Sequence, residues 1–390
     1  MNQAKAVLKK NFMVVALAVI MLLFQLLIVS GGKGSLFAPA NVSNLISQNA
    51  YVVILATGML LCILTGGNID LSVGSVVCLV GAVAGTMIVN MKMNIYLTML
   101  VCLIVGIGIG VWQGFWIAYI RIPAFIVTLA GMMLWRGIAL IILNGLTLSP
   151  FPDKYLGYFN SFIPNTLEKS TIFTVTLIIG IVLCAVFVVF QFFTRAQKKS
   201  KKYEVDNMGM MSIKMAIICG VALFLSYKLG QHKGVPVVLI LIGIIVILYS
   251  YFTQNTVPGR HLYAMGGNEK ATQLSGIDTN KTLFFAYVNM AFLSAVTALV
   301  CVARFNSANP AAGTNYEMDA IGACYIGGAS AYGGTGTVFG AVIGAIFMGV
   351  LNNGMSILGI DANWQRTVKG VVLLIAVIFD VLSKKRSVKA

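Results

Sequence analysis

In the stretch Thr65–Val77, TGGNIDLSVGSVV, one carboxylate, Asp70, stands among glycines and between two long apolar runs. An ionisable residue inside a bilayer is costly and marks a functional site by default. Irregular, glycine-rich backbone at that depth is tolerated only where it is buried in protein or lines a watery cavity. Gly67, Asn68, Asp70, Ser72 and Gly74 are therefore candidates for a pathway or gate in a protein that moves something across a membrane. Asp70 also has a plainer reading. A helix starts between Asp70 and Gly74, and a carboxylate capping its N-terminus would be favoured by the helix dipole.

Other polar residues inside apolar runs extend the set. Arg136 follows Pro123 by about 13 residues, roughly 20 Å at 1.5 Å per residue. It either snorkels to the far interface or faces the bundle interior. Asn49, Thr57, Gln113, Trp112, Trp116, Asn289, Asn352 and Asn353 are uncharged donors, acceptors and aromatic faces. Such groups suit a sugar path better than an ion path, and they equally serve ordinary helix packing. They form no dense polar and aromatic signature, so selection is expected to rest mainly with another protein.

Absences narrow the chemistry. Of 11 acidic residues, only Asp70 and, at a span end, Asp319 approach membrane depth. That is a thin relay for proton or sodium coupling. No G-x-x-x-x-G-K-[ST] phosphate loop occurs, so ATP and its Mg²⁺, if used, are expected on a separate chain and no cofactor on this one. His232 and His261 are isolated, and the seven cysteines lie in or beside apolar runs without a C-x-x-C. Neither a metal site nor a disulfide framework is expected.

The elements that must position these residues are membrane helices. The chain has 390 residues, 59% hydrophobic and 10% charged, with a mean hydropathy of +0.92. Soluble domains carry about 25% charged residues. Apolar runs near 12–30, 49–66, 71–90, 95–119, 123–143, 171–193, 214–230, 235–253, 283–303, 338–356 and 363–383 are each about long enough to cross a hydrocarbon core. Met318–Ala331 is shorter and is expected to enter without being an ordinary span. The fold class is an all-α polytopic membrane protein of 10–12 helices with broken or re-entrant glycine-rich segments, forming one membrane domain over 1–390.

The net charge of +16 sits in short segments between spans. That is the positive-inside pattern rather than a nucleic-acid patch. It places both termini, a basic loop at 195–213 and a longer loop at 254–282 in the cytoplasm. The loop Asn144–Ser170 is then outside, anchored at the interface by its aromatics or open to an external partner. Two breaks, Gly66–Val77 and Gly327–Phe339, look alike and precede glycine-spaced helices, as in transporters built from two halves. Small-xxx-small spacing also serves plain packing. In the cytoplasmic loop, Asn268 is placed to cap a short helix with Glu269 in its first turn. That helix is a docking element or a plain surface loop.

Five segments in order, GGNIDLSVGSVV, RIPAFIVTLAGMMLWRGIA, YAMGGNEKATQLSGI, ACYIGGASAYGGTGTVFGAVIGA and LNNGMSILGI, resemble the permease subunits of bacterial ribose/xylose-type sugar ABC importers. The resemblance runs from about Asn41 to Lys385. Length and the additional pair of spans around 171–253 are similar to the xylose and multiple-sugar permeases. It implies a homodimer in the bacterial inner (cytoplasmic) membrane, a cytoplasmic ATP-binding subunit, an extracellular or periplasmic sugar-binding protein, and import of xylose or mixed pentoses and hexoses. It also implies that Met265–Ile277 couples to the ATPase. That segment includes Met265, Gly266, Gly267, Asn268, Glu269, Lys270, Ala271, Thr272, Ser275 and Gly276. The alternative reading is an ion-coupled sugar carrier centred on Asp70 or Asp319.

Overall fold

The computed structural model describes residues 12–165, 168–201, 203 and 207–389. Lys5, Lys9 and Lys10 of the expected basic N-terminus lie outside the described residues. Among the described residues, ten helices are long and apolar enough to cross a bilayer. They are α1 (Phe12–Ser30), α2 (Pro39–Leu64), α3 (Val73–Gly85, prolonged by a π-helical turn to Asn90), α4 (Ile95–Ala118), α5 (Ala124–Leu143), α7 (Lys169–Ser200), α8 (Met208–Gly230), α9 (Val237–Asn255), α12 (Thr279–Phe305) and α14 (Val338–Ile357). Shorter helices are α6 (Asp153–Phe159), α10 (Val257–Gly267), α11 (Glu269–Leu274) and α13 (Tyr316–Ile326). The eleventh expected span is also helical, as α15 (Ala362–Lys389).

Each expected span forms because its side chains are apolar and its backbone can satisfy every N–H and C=O internally, the only arrangement lipid allows. The bundle is not uniform. The apolar window of α2 is 78% buried, whereas that of α8 is 11% buried. Helices α2, α3, α12 and α14 form the centre, and α7 with α8 packs as a peripheral hairpin. A two-residue antiparallel ladder, Phe162–Ile163 with Val235–Pro236, joins the start of α7 to the start of α9.

The two faces of the bundle can be told apart by contacts. On one face, Gly334 N–H donates to Leu64 O (3.1 Å), and Tyr263 of α10 donates to Gly336 O (2.9 Å). On the other, Leu148 and Ala308 form an isolated bridge, and Phe151 N–H donates to Asn306 Oδ1 (2.8 Å). The loop after α5 is therefore anchored: Phe151 and Tyr155 are buried, and Tyr155 donates to Leu299 O (2.9 Å).

One pass is broken in a way that settles the partial span. From the Ala308 face, residues 306–315 descend without regular helix, α13 continues for 11 residues, and 327–337 ends beside Leu64. Together they cross. A helix of that length spans only about 16 Å, so α13 is half a pass. Residues 65–72 and α3 mirror it, running irregular from the Leu64 face and helical to Asn90. Ala331 N–H donates to Asp380 Oδ2 (3.2 Å) near the end of α15, and Gly328 adjoins Met13 of α1. The start of α1 and the C-terminal part of α15 thus both lie against the segment 327–337 on the Leu64 face.

The two similar glycine-rich breaks do not occupy equivalent positions. Gly66–Ser72 interrupts a pass, whereas Gly327–Thr337 connects α13 to α14. The counterpart of the first break is 306–315. Their likeness has a different cause, because they touch. A Cβ on Gly333 would lie 2.5 Å from Gly66 Cα, and one on Gly67 would lie 2.0 Å from Ala331 O. Both backbones need glycine for that approach.

Candidate functional site

The two half-helices meet with their N-termini together inside the bundle. A Cβ added to Gly74 would lie 2.0 Å from Gly313 O and 2.7 Å from the Glu317 carboxylate. Gly313 has φ +72°, a conformation glycine adopts without strain. Two positive dipole ends at one point call for negative charge. Glu317 and Asp319 occupy the first turn of α13, and Asp70 lies just ahead of α3; all three are buried.

Asp70 does not cap α3 directly. The helix begins at Val73 after Ser72, which makes no side-chain cap. Asp70 Oδ1 instead accepts from Ser72 N–H (2.8 Å) and Ser72 Oγ–H (2.6 Å). Its bonds therefore close a tight turn on Ser72, two residues ahead of the position from which a carboxylate would cap α3. The chain of bonds continues: Gln113 Nε2 of α4 donates to Ser72 Oγ (2.7 Å). A Cβ on Gly131 of α5 would meet Gln113 Nε2 at 2.6 Å and Trp135 Nε1 at 3.2 Å. Trp135 and Trp116 each pack edge-on against Trp112, with centroids 5.3 and 6.3 Å apart. A polar and aromatic cluster thus exists after all. Its members come from the segment ahead of α3 and from α4 and α5, so no linear signature announces it.

Arg136 faces inward rather than snorkelling to the interface. Its Nη1 donates to Pro310 O (3.0 Å) and Ala312 O (2.6 Å), satisfying carbonyls of the irregular segment 306–315 that no helix serves. Asn68 bonds locally to Thr65 O (3.2 Å) and Thr65 Oγ1 (3.3 Å). Asn289 and Asn353 lie elsewhere. Asn289 accepts from Tyr249 of α9 (2.7 Å). Asn353 exchanges two hydrogen bonds with Asn41 at 2.9 and 3.0 Å, tying α14 to α2.

Acidic residues at depth number one more than the sequence suggests, because Glu317 is buried alongside Asp319. The signal was its place in the same first helical turn. Asp319 is neutralised within the fold: Lys369 of α15 approaches Oδ1 at 2.8 Å, and Tyr51 donates to Oδ2 at 2.6 Å. Tyr51 also stacks on Tyr316, centroids 3.9 Å apart.

The segment 265–276 forms two short helices on the Leu64 face. Asn268 Oδ1 accepts from Ala271 N–H (3.0 Å), and Glu269 pairs with Arg121 at 2.5 Å. Arg121, in the α4–α5 turn, also bonds Asn280 and reaches Thr279 Oγ1 at 3.2 Å. Met265 and Thr272 are buried anchors, while Gly267, Asn268, Lys270, Ala271, Ser275 and Gly276 face outward. Gly266 is wedged against Leu64 O and Gly334. Leu274 is 90% exposed.

Comparison with known proteins agrees with this architecture. Residues 41–377 match the family described as branched-chain amino acid transport system / permease component. The chain is similar to the xylose transport system permease protein XylH of Haemophilus influenzae, 35% identical over 97% of this chain and 98% of that protein. It is also similar to the Escherichia coli K12 XylH, 37% identical over 96% and 92%. A third relative is the ribose import permease protein RbsC of the same strain, 34% identical over 93% and 92%. No solved structure matches the chain. The likeness covers the broken passes, the Arg136 helix and the α10–α11 element together, and the chain belongs to this family of transport-system permease components, as a transport subunit and not an enzyme.

Proposed function

We propose that the chain is the membrane-spanning subunit of an ATP-driven importer of a monosaccharide, xylose or a mix of pentoses and hexoses. The observation that carries this is identity to xylose permeases over nearly the full length of both chains. The family description alone names a different substrate, so the sugar rests on the named relatives. An ATP-binding subunit docks on the face carrying α10 and α11, and an extracellular or periplasmic binding protein delivers sugar to the opposite face. Two copies of the chain form the pathway within the bacterial inner membrane. The Leu64 face is cytoplasmic, in keeping with the basic residues gathered on it at 195–201 and around Arg260–Lys281.

The rival, an ion-coupled carrier, is not favoured. Asp319 is held by Lys369 and Tyr51, and Asp70 by Ser72. The deciding experiment is sugar uptake in cells carrying this chain with its ATP-binding and binding-protein subunits. Vanadate should abolish uptake, and a protonophore should not while ATP is maintained. Loss with the protonophore alone would return the argument to a secondary carrier.

A further inference from the structure

A cation on a membrane helix is normally paired, and one that is not marks a site by default. Arg366 of α15 is exposed and has no hydrogen-bond or ion-pair partner among the described residues. Its depth follows from the chain path. Helix α14 leaves the Leu64 face at Val338 and runs for 20 residues, about 30 Å, so α15 starts on the opposite face. It returns to Asp380, which lies beside Ala331. Arg366 precedes Asp380 by about 21 Å at 1.5 Å per residue. Trp364, two residues earlier, is exposed, as a tryptophan anchored at the interface is. Arg366 therefore stands at headgroup level.

Arg366, Lys369, Gly370 and Leu373 share one side of α15 by their spacing. With Asn315 and Met318, at the start of α13, they line a cavity of about 140 Å³. It opens outward, because Arg366 and Gly370 are exposed, and a Cβ on Gly370 would have nothing within 4 Å. The neighbouring carboxylates are engaged. Asp319 holds Lys369 at 2.8 and 3.1 Å, which leaves the ammonium one of its three donors. Asp361 accepts from Asn363 N–H (2.8 Å), and Glu317 is buried against Gly74. The cavity is left cationic. From it toward the Leu64 face, Val371, Leu374 and Ile375 form an exposed apolar stripe.

We propose that the cavity between α13 and α15 binds the phosphate of an anionic phospholipid, whose acyl chains lie along the stripe of Val371, Leu374 and Ile375. The guanidinium fork of Arg366 matches two phosphate oxygens at once. Lys369 adds its remaining N–H, and Asn315 an amide donor. Basic cavities between membrane helices suit phospholipid headgroups. A soluble phosphate ester offers the same anion but nothing to cover the apolar stripe, and the joined cationic and apolar surfaces select the lipid. A lipid held there ties α15 to the first turn of α13, beside the Lys369–Asp319 pair, and so braces the broken pass.

The full-length chain is placed in nanodiscs of phosphatidylcholine alone or of phosphatidylcholine mixed with phosphatidylglycerol. Phosphatidylglycerol should raise the melting temperature by about 2–4 °C. Arg366→Met removes the fork, and Gly370→Leu fills the cavity from a position with free space around it. Both should melt as wild type in phosphatidylcholine and lose the response, while Arg366→Lys keeps part of it. Equal melting of wild type in the two lipids, or the same rise in wild type and both variants, overturns the proposal. Glycerol 3-phosphate added to phosphatidylcholine discs should have no effect. A rise matching that of phosphatidylglycerol would assign the cavity to a soluble anion and overturn the lipid. Chain stoichiometry in the discs tests the remaining occupant: loss of a dimer in Arg366→Met whatever the lipid would make the face a contact with a second copy, and would also overturn it. No arm measures uptake, so the outcome is independent of the import reading.

Discussion

Gly74 is the position where the broken-pass geometry makes its sharpest demand. Substituting alanine puts a Cβ 2.0 Å from Gly313 O, where ordinary contact begins at 3.4 Å. One of the two half-helices must therefore retreat by about 1.4 Å. Neither can do so freely. The Gly313 segment is pinned through Pro310 and Ala312 by Arg136, and Gly74 follows the Asp70–Ser72 turn directly. Overpacking costs typically about 1–3 kcal/mol, and here the clashing atom is backbone, so the upper end applies. That is roughly a hundredfold in the folded-to-unfolded ratio, at about 1.4 kcal/mol per factor of ten. Gly313→Ala should be worse, because its left-handed φ of +72° adds about 1–2 kcal/mol for a residue with a Cβ. Gly108→Ala is the control: it lies within α4, and nothing stands within 4 Å of its added Cβ. Thermal unfolding of the purified protein and sugar uptake in cells read the comparison. Both central variants should melt lower and transport poorly, while the control matches or exceeds wild type. Equal melting and uptake for Gly74→Ala and Gly108→Ala would refute the close contact of the two half-helices.

The α10–α11 element should separate docking from folding. Glu269→Lys breaks an ion pair whose partners are both 42% exposed, which costs less than about 1 kcal/mol. Gly267→Trp starts its side chain from a Cβ with nothing within 4 Å. Both should insert and melt as wild type yet hydrolyse ATP without matching uptake, and unchanged uptake by both would sink the coupling assignment. Asp319→Asn and Lys369→Met each strand a buried charge or its partner, with an expected loss of about 3–5 kcal/mol. Replacing both should recover most of it, and a double variant as unstable as the sum of the two would rule the pair out. A cysteine introduced as Ser200→Cys should be labelled from the cytoplasmic side alone, and labelling from outside would invert the assigned faces.

The membrane passes were legible because the bilayer leaves so few options: about twenty apolar residues read as a span whatever surrounds them. The break at Gly66–Gly74 was legible for the same reason, since glycines and a carboxylate have no ordinary place inside an apolar run. Partnership was not legible. Composition makes Gly66–Val77 and Gly327–Phe339 look alike, as a repeat or as plain packing, whereas the structure has the two breaks in contact and gives the mirrored role to 306–315. That stretch has little glycine to advertise it and is held by Arg136 instead. Glu317 was missed because burial in its case is imposed by α3, some 240 positions earlier. The tryptophan cluster escaped notice for a related reason. Trp112 and Trp116 are one turn apart on α4, but Trp135 and Gly131 join them only through the α4–α5 packing.

Two mechanical routes lead from the α10–α11 face to Ser72, and their convergence bears on how a cytoplasmic motion reaches the pathway. The first runs through backbone. Gly266 abuts Leu64 O and Gly334, and Leu64 is the last residue of α2, from which the irregular segment 65–72 leads to Ser72. The second runs through Arg121, which holds Glu269 of α11 and the start of α12 from the α4–α5 turn. From that turn α4 rises about 8 Å, the five residues from Ala118 at 1.5 Å each, to Gln113 and its bond to Ser72 Oγ. Helices transmit displacement along their axes with little loss, because their cores are packed too densely to deform. A shift of α11 therefore acts on Ser72 from both sides: it pulls the segment 65–72, and it moves the amide that Ser72 accepts from. Asp70 is the restraint common to both routes, since its two bonds to Ser72 resist either displacement. The carboxylate that first drew attention is then the group that fixes the turn at the end of the broken pass, where the two routes from α10 and α11 converge.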